Sequence, residues 1–241
     1  AVDKPVVHLW ENEDGSWNAA ALMKPSDTER GADFYGVVRL NDGVVRVLLP
    51  DGSGRTLALE DVDGSVSFAE YPKAIALTAD ASLDGQDLTL SGTYTSARQY
   101  DMTIQAERID ASYASPFIPE DVDVTILGGA AEHVRARVAD GKDGLFVSGQ
   151  ADIADGAAAA YGLSVDGLTG HVSLGTNDVL LKDVSGTING QEFRADGIVK
   201  TNGASPVFNI DVDVPGAALD AFSEFIPAPV SGTVGFKGTL W

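Results

Sequence analysis

Three histidines, His8, His133 and His171, and a large surplus of carboxylates are the groups with which this 241-residue chain could move protons. Each histidine stands beside an apolar residue of an alternating stretch, Leu9, Val134 and Val172. They are therefore read as outward-facing strand residues, far apart from one another. A nucleophilic serine needs a strained elbow beside a histidine, and no G-x-S-x-G occurs. Cysteine is absent, which excludes thiolate nucleophiles, thiolate zinc sites and disulfides. Gly141-Lys142 opens no helix, so it is no phosphate cradle.

The carboxylates divide in the same way. Asp121 with Asp123 and Asp211 with Asp213 project from one face of a strand, as the acids of a glycosidase can, but their neighbours Val122, Val124, Ile210 and Val212 mark that face as the wet one. "DVDGS", Asp61 to Ser65, begins like a calcium loop and lacks the third ligand and the late glutamate, so it is read as a tight hairpin. Trp10 and Trp17 flank "ENEDGS" and are read as clasping a hairpin rather than stacking on sugar. No catalytic residue, cofactor or metal is expected. With 36 acidic against 16 basic residues and a net charge of −20, nucleic acid is excluded as a partner.

The elements around these residues are strands. Asp-Gly at 14, 42, 51, 63, 84, 140, 143, 155, 166 and 196 and Asn-Gly at 189 and 202 are read as hairpin closers. Between them apolar and polar residues alternate, as in Ile75, Leu77, Ala79, Ala81 and Leu83, or Phe208, Ile210, Val212 and Val214. Antiparallel sheet of about seventeen strands is the inference, dry on one face and wet on the other. The best helix signal is Gly216 to Ile226, where Leu219, Phe222 and Ile226 share a face and Pro227 stops it.

An internal repeat organises the chain. Gly64 in "VDGSVSF" answers Gly170 in "LTGHVSL", Gly85 answers Gly190, and "PFIP" ending at Pro119 answers "EFIP" ending at Pro227. The expected division is 1–33 as N-terminal strands, 34–119 as the first repeat unit, 120–145 as connecting strands, 146–227 as the second unit and 228–241 as the start of a further strand pair. Ala1 stands where an initiator Met would be, so the chain is read as a segment of a longer one. One apolar face in every strand has two physical solutions, two sheets packed together or one long curled sheet whose inner face is left for something else.

"VVHLWENEDGSWNAAALM" resembles the N-terminal signature of the AsmA-like and TamB families, and "FNIDVDVPGAALDAFSEFIPAPVSGTVGFKGTL" is similar to their repeating block of strand, short helix and S-G-x-[VL]-x-[FLV]-x-G strand. In the first unit Pro116 interrupts the helix and "ILGG" replaces that last strand. The resemblance implies an all-β fold, a long curled antiparallel sheet forming an open groove (a β-taco) built from repeats, with one or two short helices. It implies a periplasmic location, an anchor in the inner membrane outside this segment, and conduction of lipid between inner and outer membranes. The partners implied are phospholipid acyl chains and, through the full-length protein, an outer-membrane β-barrel. Strand parity then selects the groove floor as Ile75, Leu77, Leu88, Leu90, Met102, Ile104, Val122, Val124, Ile126, Phe208, Ile210, Val212, Val234 and Phe236. The alternative is an extracytoplasmic β-sandwich, a structural or adhesion module.

Overall fold

In the computed structural model the described residues are 1–10, 12, 18, 35–48, 54–71, 73–95, 99–117, 123–141, 144–160, 162–200, 207–222 and 231–240. They form strands β1 (Val2–Asp3), β2 (Val6–Leu9), β3 (Val37–Leu48), β4 (Thr56–Ser67), β5 (Ala74–Leu83), β6 (Gln86–Thr95), β7 (Tyr100–Asp110), β8 (Val124–Gly141), β9 (Gly144–Ala160), β10 (Leu163–Leu174), β11 (Asp178–Ile188), β12 (Gln191–Lys200), β13 (Val207–Ala218) and β14 (Thr233–Leu240). The fold is all-β. Its hydrogen-bonded order follows the chain from β3 to β14, with β1 and β2 both laid parallel on β3. The pairings from β3 to β7 and from β9 to β14 are antiparallel. Two compact units divide it, Ala1–Glu107 with Arg135–Val147, and Arg108–Val134 with Ser148–Trp241.

Fourteen strands replace the expected seventeen among the described residues, because most Asp-Gly pairs are not turns. Asp84-Gly85 and Asn189-Gly190 do close hairpins, with both residues at positive φ. Asp42-Gly43, Asp63-Gly64, Asp155-Gly156, Asp166-Gly167 and Asp196-Gly197 instead lie inside β3, β4, β9, β10 and β12. The pairs at 14, 51 and 202, and Asp143, lie outside the described residues. The stretch 120–145, read as connecting strands, holds the 18-residue strand β8 and the first residues of β9.

Several of the internal pairs form or cap β-bulges. Asp42, Asp61, His133, Asp155 and Asp183 take left-handed φ near 50° in mid-strand, and the ladder shifts register beside Asp42, Asp61 and Asp183. The extra residue leaves an amide without a ladder partner, and a carboxylate on the next strand takes it. Asp63 Oδ1 accepts from the Asp42 N–H at 3.0 Å, and Asp196 Oδ1 accepts from the Asp183 N–H at 2.7 Å. The glycine after each of these acceptors lets the following strand close in, since a Cβ on Gly64 would meet the Thr78 carbonyl at 2.5 Å. "DVDGS" is therefore neither a calcium loop nor a hairpin. It holds a bulge at Asp61 and caps another at Asp42.

The expected helix from Gly216 is also corrected. β13 continues through Gly216–Ala218 and only Leu219–Phe222 turns, as a short 3-10 segment, while 223–226 lie outside the described residues. Ladder pairing of Ala217 with Val234 keeps the chain extended there. The turn is tied to the β11–β12 hairpin, with Asn189 Nδ2 donating to the Ala221 carbonyl at 3.1 Å and Gln191 Oε1 accepting from the Ala218 N–H at 2.9 Å. A second 3-10 segment, Ala111–Phe117, follows β7, and Asp110 Oδ1 caps it through the Ser112 N–H.

On the wet face of the first unit, Arg137 clamps Asp101 with two hydrogen bonds and lies 5.7 Å from the centre of the Phe146 ring. The Arg137 hydrogen bond holds the Asp101 carboxyl below its usual range. A depressed carboxyl stabilises the fold above its unfolded value near 3.9 and loses that contribution as pH falls through the folded value. Asp101→Asn is expected to melt slightly below the parent at pH 7, the difference shrinking in acid as the parent's Asp101 carboxyl takes up its proton, and staying small because both partners are half exposed. Equal melting at pH 7 would deny the pair any stabilising role.

Candidate functional site

The candidate site is the apolar face of the sheet. In the first unit Ala79 faces Leu90, which faces Ile104; Leu77 faces Gly92, which faces Met102; and Ala81 faces Leu88, which faces Ala106. Cross-strand neighbours share a face, so Ile75, Leu77, Leu88, Leu90, Met102 and Ile104 lie together. In the second unit Val212 faces Ala195 and Gly238, Ile210 faces Gly197, Phe208 faces Val199, and Val214 faces Phe236, with Val234 two residues before it. These five floor residues, Phe208, Ile210, Val212, Val234 and Phe236, share one face of that unit. Val124 and Ile126 alternate with the exposed Thr125 and Leu127 on β8. Val122 lies outside the described residues.

Parity alone misses half of this face. On β4 the odd residues Leu57 and Leu59 and the even residues Val62 and Val66 all point the same way, because the bulge at Asp61 slips the phase by one. On β3 the bulge at Asp42 carries Val38 and Leu40 to the side of Val45 and Val47. The second unit repeats the device on β10, where Leu163 and Val165 join Leu168 and Val172 around Gly167 at φ 60°. The readable signal is a switch of apolar parity across an Asp-Gly or Asp-Val step.

Burial on this face is confined to the bulge line. Val62 and Ala130 are 3% exposed, and Ala81, Leu88, Ala106, Val184, Ala195 and Ala217 are also buried. Away from that line the face is half open, with Phe208 at 45% and Phe236 at 52% exposure. No large side chain among the described residues is fully enclosed. Within each unit the described strands belong to a single sheet, so the face-to-face packing of a sandwich is not formed there.

The opposite face carries the titratable groups, and here one expectation fails. His8 faces Arg46 and is exposed, but His133 and His171 are not far apart. Their Nδ1 atoms lie 2.8 Å from Oδ2 and Oδ1 of Asp152. Asp152 on β9 is the register partner of His171 on β10, and His133, left-handed at φ 50° on β8, brings the third strand's imidazole to the same carboxylate. The two imidazole hydrogen bonds, His171 first, hold the Asp152 carboxyl below its usual range. Nothing in the spacing of 133, 152 and 171 discloses this without the register.

Ser173 Oγ lies 3.2 Å from His171 Nε2, which completes a serine–imidazole–carboxylate chain. The order of contacts is that of a nucleophilic triad, yet Ser173 sits on a regular strand paired to Gln150 and Leu180 on both sides. Its neighbouring amides belong to those ladders and form no oxyanion hole. Asp211 is engaged by Thr239 at 2.6 Å and Asp213 by Lys237 at 3.5 Å, beside a shallow polar hollow also lined by Arg194 and Asp196. Asp123 is exposed and Asp121 lies outside the described residues. Among the described residues no group of three His, Asp or Glu side chains is placed to hold a metal ion, and no helix is long and apolar enough to cross a membrane. Trp10 is tied to Asn18 through its backbone, while Trp17 lies outside the described residues.

Comparison with known proteins returns no matching family model, no matching curated protein and no matching solved structure.

Proposed function

We propose that this chain is a segment of a periplasmic envelope protein similar to the AsmA-like and TamB families, whose apolar sheet face conducts phospholipid acyl chains between inner and outer membranes. The observation that carries the reading is the half-open apolar face, present in each unit and without a covering layer among the described residues. An acyl chain gains about 0.8 kcal/mol for each CH₂ it buries and needs no directional contact, so such a face can hold lipid and let it slide. The inner-membrane anchor and an outer-membrane β-barrel partner belong to the proposal through the quoted motifs. Lipid crosslinking restricted to one face of the sheet is the experiment that tests it.

The reading involves no catalytic step. The purified chain is expected to hydrolyse p-nitrophenyl acetate no faster than its Ser173→Ala variant. A difference between the two would turn the Ser173–His171–Asp152 chain into an active site and end the reading of the wet face as non-catalytic.

A further inference from the structure

We propose that His133, Asp152 and His171 form a pH-responsive clasp that ties β8, β9 and β10 together on the wet face of the second unit. The inference is independent of lipid conduction. It rests on two imidazoles from different strands meeting the two oxygens of one carboxylate at 2.8 Å, and on the left-handed backbone at His133 that puts its ring there.

Proton positions follow from the acceptor. An ionised carboxylate only accepts, so each imidazole donates Nδ1–H to Asp152. With His171 neutral, its Nε2 accepts from the Ser173 hydroxyl; when His171 is protonated, Nε2–H donates and that hydroxyl must turn round to accept. Imidazole is the side chain whose charge ordinarily changes between pH 5 and 8. Across that change the cluster passes from one net negative charge to one net positive charge on the same three strands.

The neighbours limit how far it goes. The first proton converts a neutral-donor hydrogen bond to the carboxylate into one between opposite charges, which tightens the clasp. The second must enter beside the first imidazolium, and Lys182 on β11 is the register partner of His171. Glu132, next to His133 on β8, is held by Arg108 of β7. The clasp is therefore tightest with one of the two imidazoles protonated, since the second proton enters against the first.

Nitrogen and carbon NMR of the imidazoles across pH 5 to 8 tests this on the whole chain. The expected result is an Nδ1–H tautomer for both rings at pH 8, two separated titration steps, and loss of the separation in Asp152→Asn. His8, which faces Arg46, serves as the internal reference. Nε2–H tautomers, or titration curves for His133 and His171 that are the same in the parent and in Asp152→Asn, would overturn the proposal. Should Asp152→Asn fail to fold, the tautomers and the step pattern of the parent decide it, and Lys182→Gln is expected to bring the two steps closer together.

Discussion

Photoreactive side chains in place of Leu77, Ile104 and Ile210 are expected to crosslink phospholipid acyl chains, and the same probe in place of Thr78, Thr103 and Asp211 is expected to remain unlabelled. The two sets interleave along the same strands. Leu77 shares its face with Met102, and Ile104 shares it with Leu90. Thr78 and Thr103 both face Ser91, and Asp211 faces Asp196 and Thr239. A carboxylate pressed against hydrocarbon costs several kcal/mol, so Ile104→Asp should lower lipid loading by about tenfold or more, while Thr103→Asp changes little. Both variants need circular dichroism matching the parent. Equal labelling of the two faces, or none on either, would remove lipid from the account of this sheet.

Gly129→Ala should destabilise the second unit by more than about 2 kcal/mol, whereas Gly128→Ala should be nearly silent. Gly129 holds φ at 103°, which an L side chain rarely adopts, and a Cβ there would meet the Gly156 Cα at 2.5 Å and the Asp155 carbonyl at 2.8 Å. These are backbone atoms of the bulge on β9 and cannot move without opening the ladder. A Cβ on Gly128 meets nothing within 4 Å. The urea midpoints of the two variants decide it, and coincidence of the two would show that β8 and β9 have room to part at the bulge.

Sequence alternation made the fold class and the polarity of the two faces legible, because a residue's side of a strand depends on its parity and on nothing distant. Leu77, Leu90 and Ile104 are placed correctly on one face by that rule alone. The rule fails at Asp42, Asp61 and Asp183, where one left-handed residue reverses parity within a strand. Asp-Gly misled for the same reason: the positive φ and close approach that suit a hairpin also suit a bulge, and only the partner strand distinguishes them. The helix read from Gly216 followed the spacing of Leu219, Phe222 and Ile226, whereas Ala217 is held in the strand by Val234, which lies 17 residues beyond it and exerts no local signal. The clasp at Asp152 was invisible because it depends on the register of three strands at once.

Pairing of almost every strand with its immediate neighbour in the chain has a kinetic meaning. Most of these pairs close a short loop, with longer connections from β7 to β8 and from β13 to β14, so the entropic barrier to adding a strand is mostly small and is met once per strand rather than once for the whole sheet. Stability then accumulates as a sum of neighbouring interfaces. A load applied along the chain would detach strands singly from an end, each release leaving the next pair intact. The parallel edge formed by β1 and β2 departs from this pattern, because both strands pair with β3 and not with each other. Their hold on the sheet therefore rests on β3 alone.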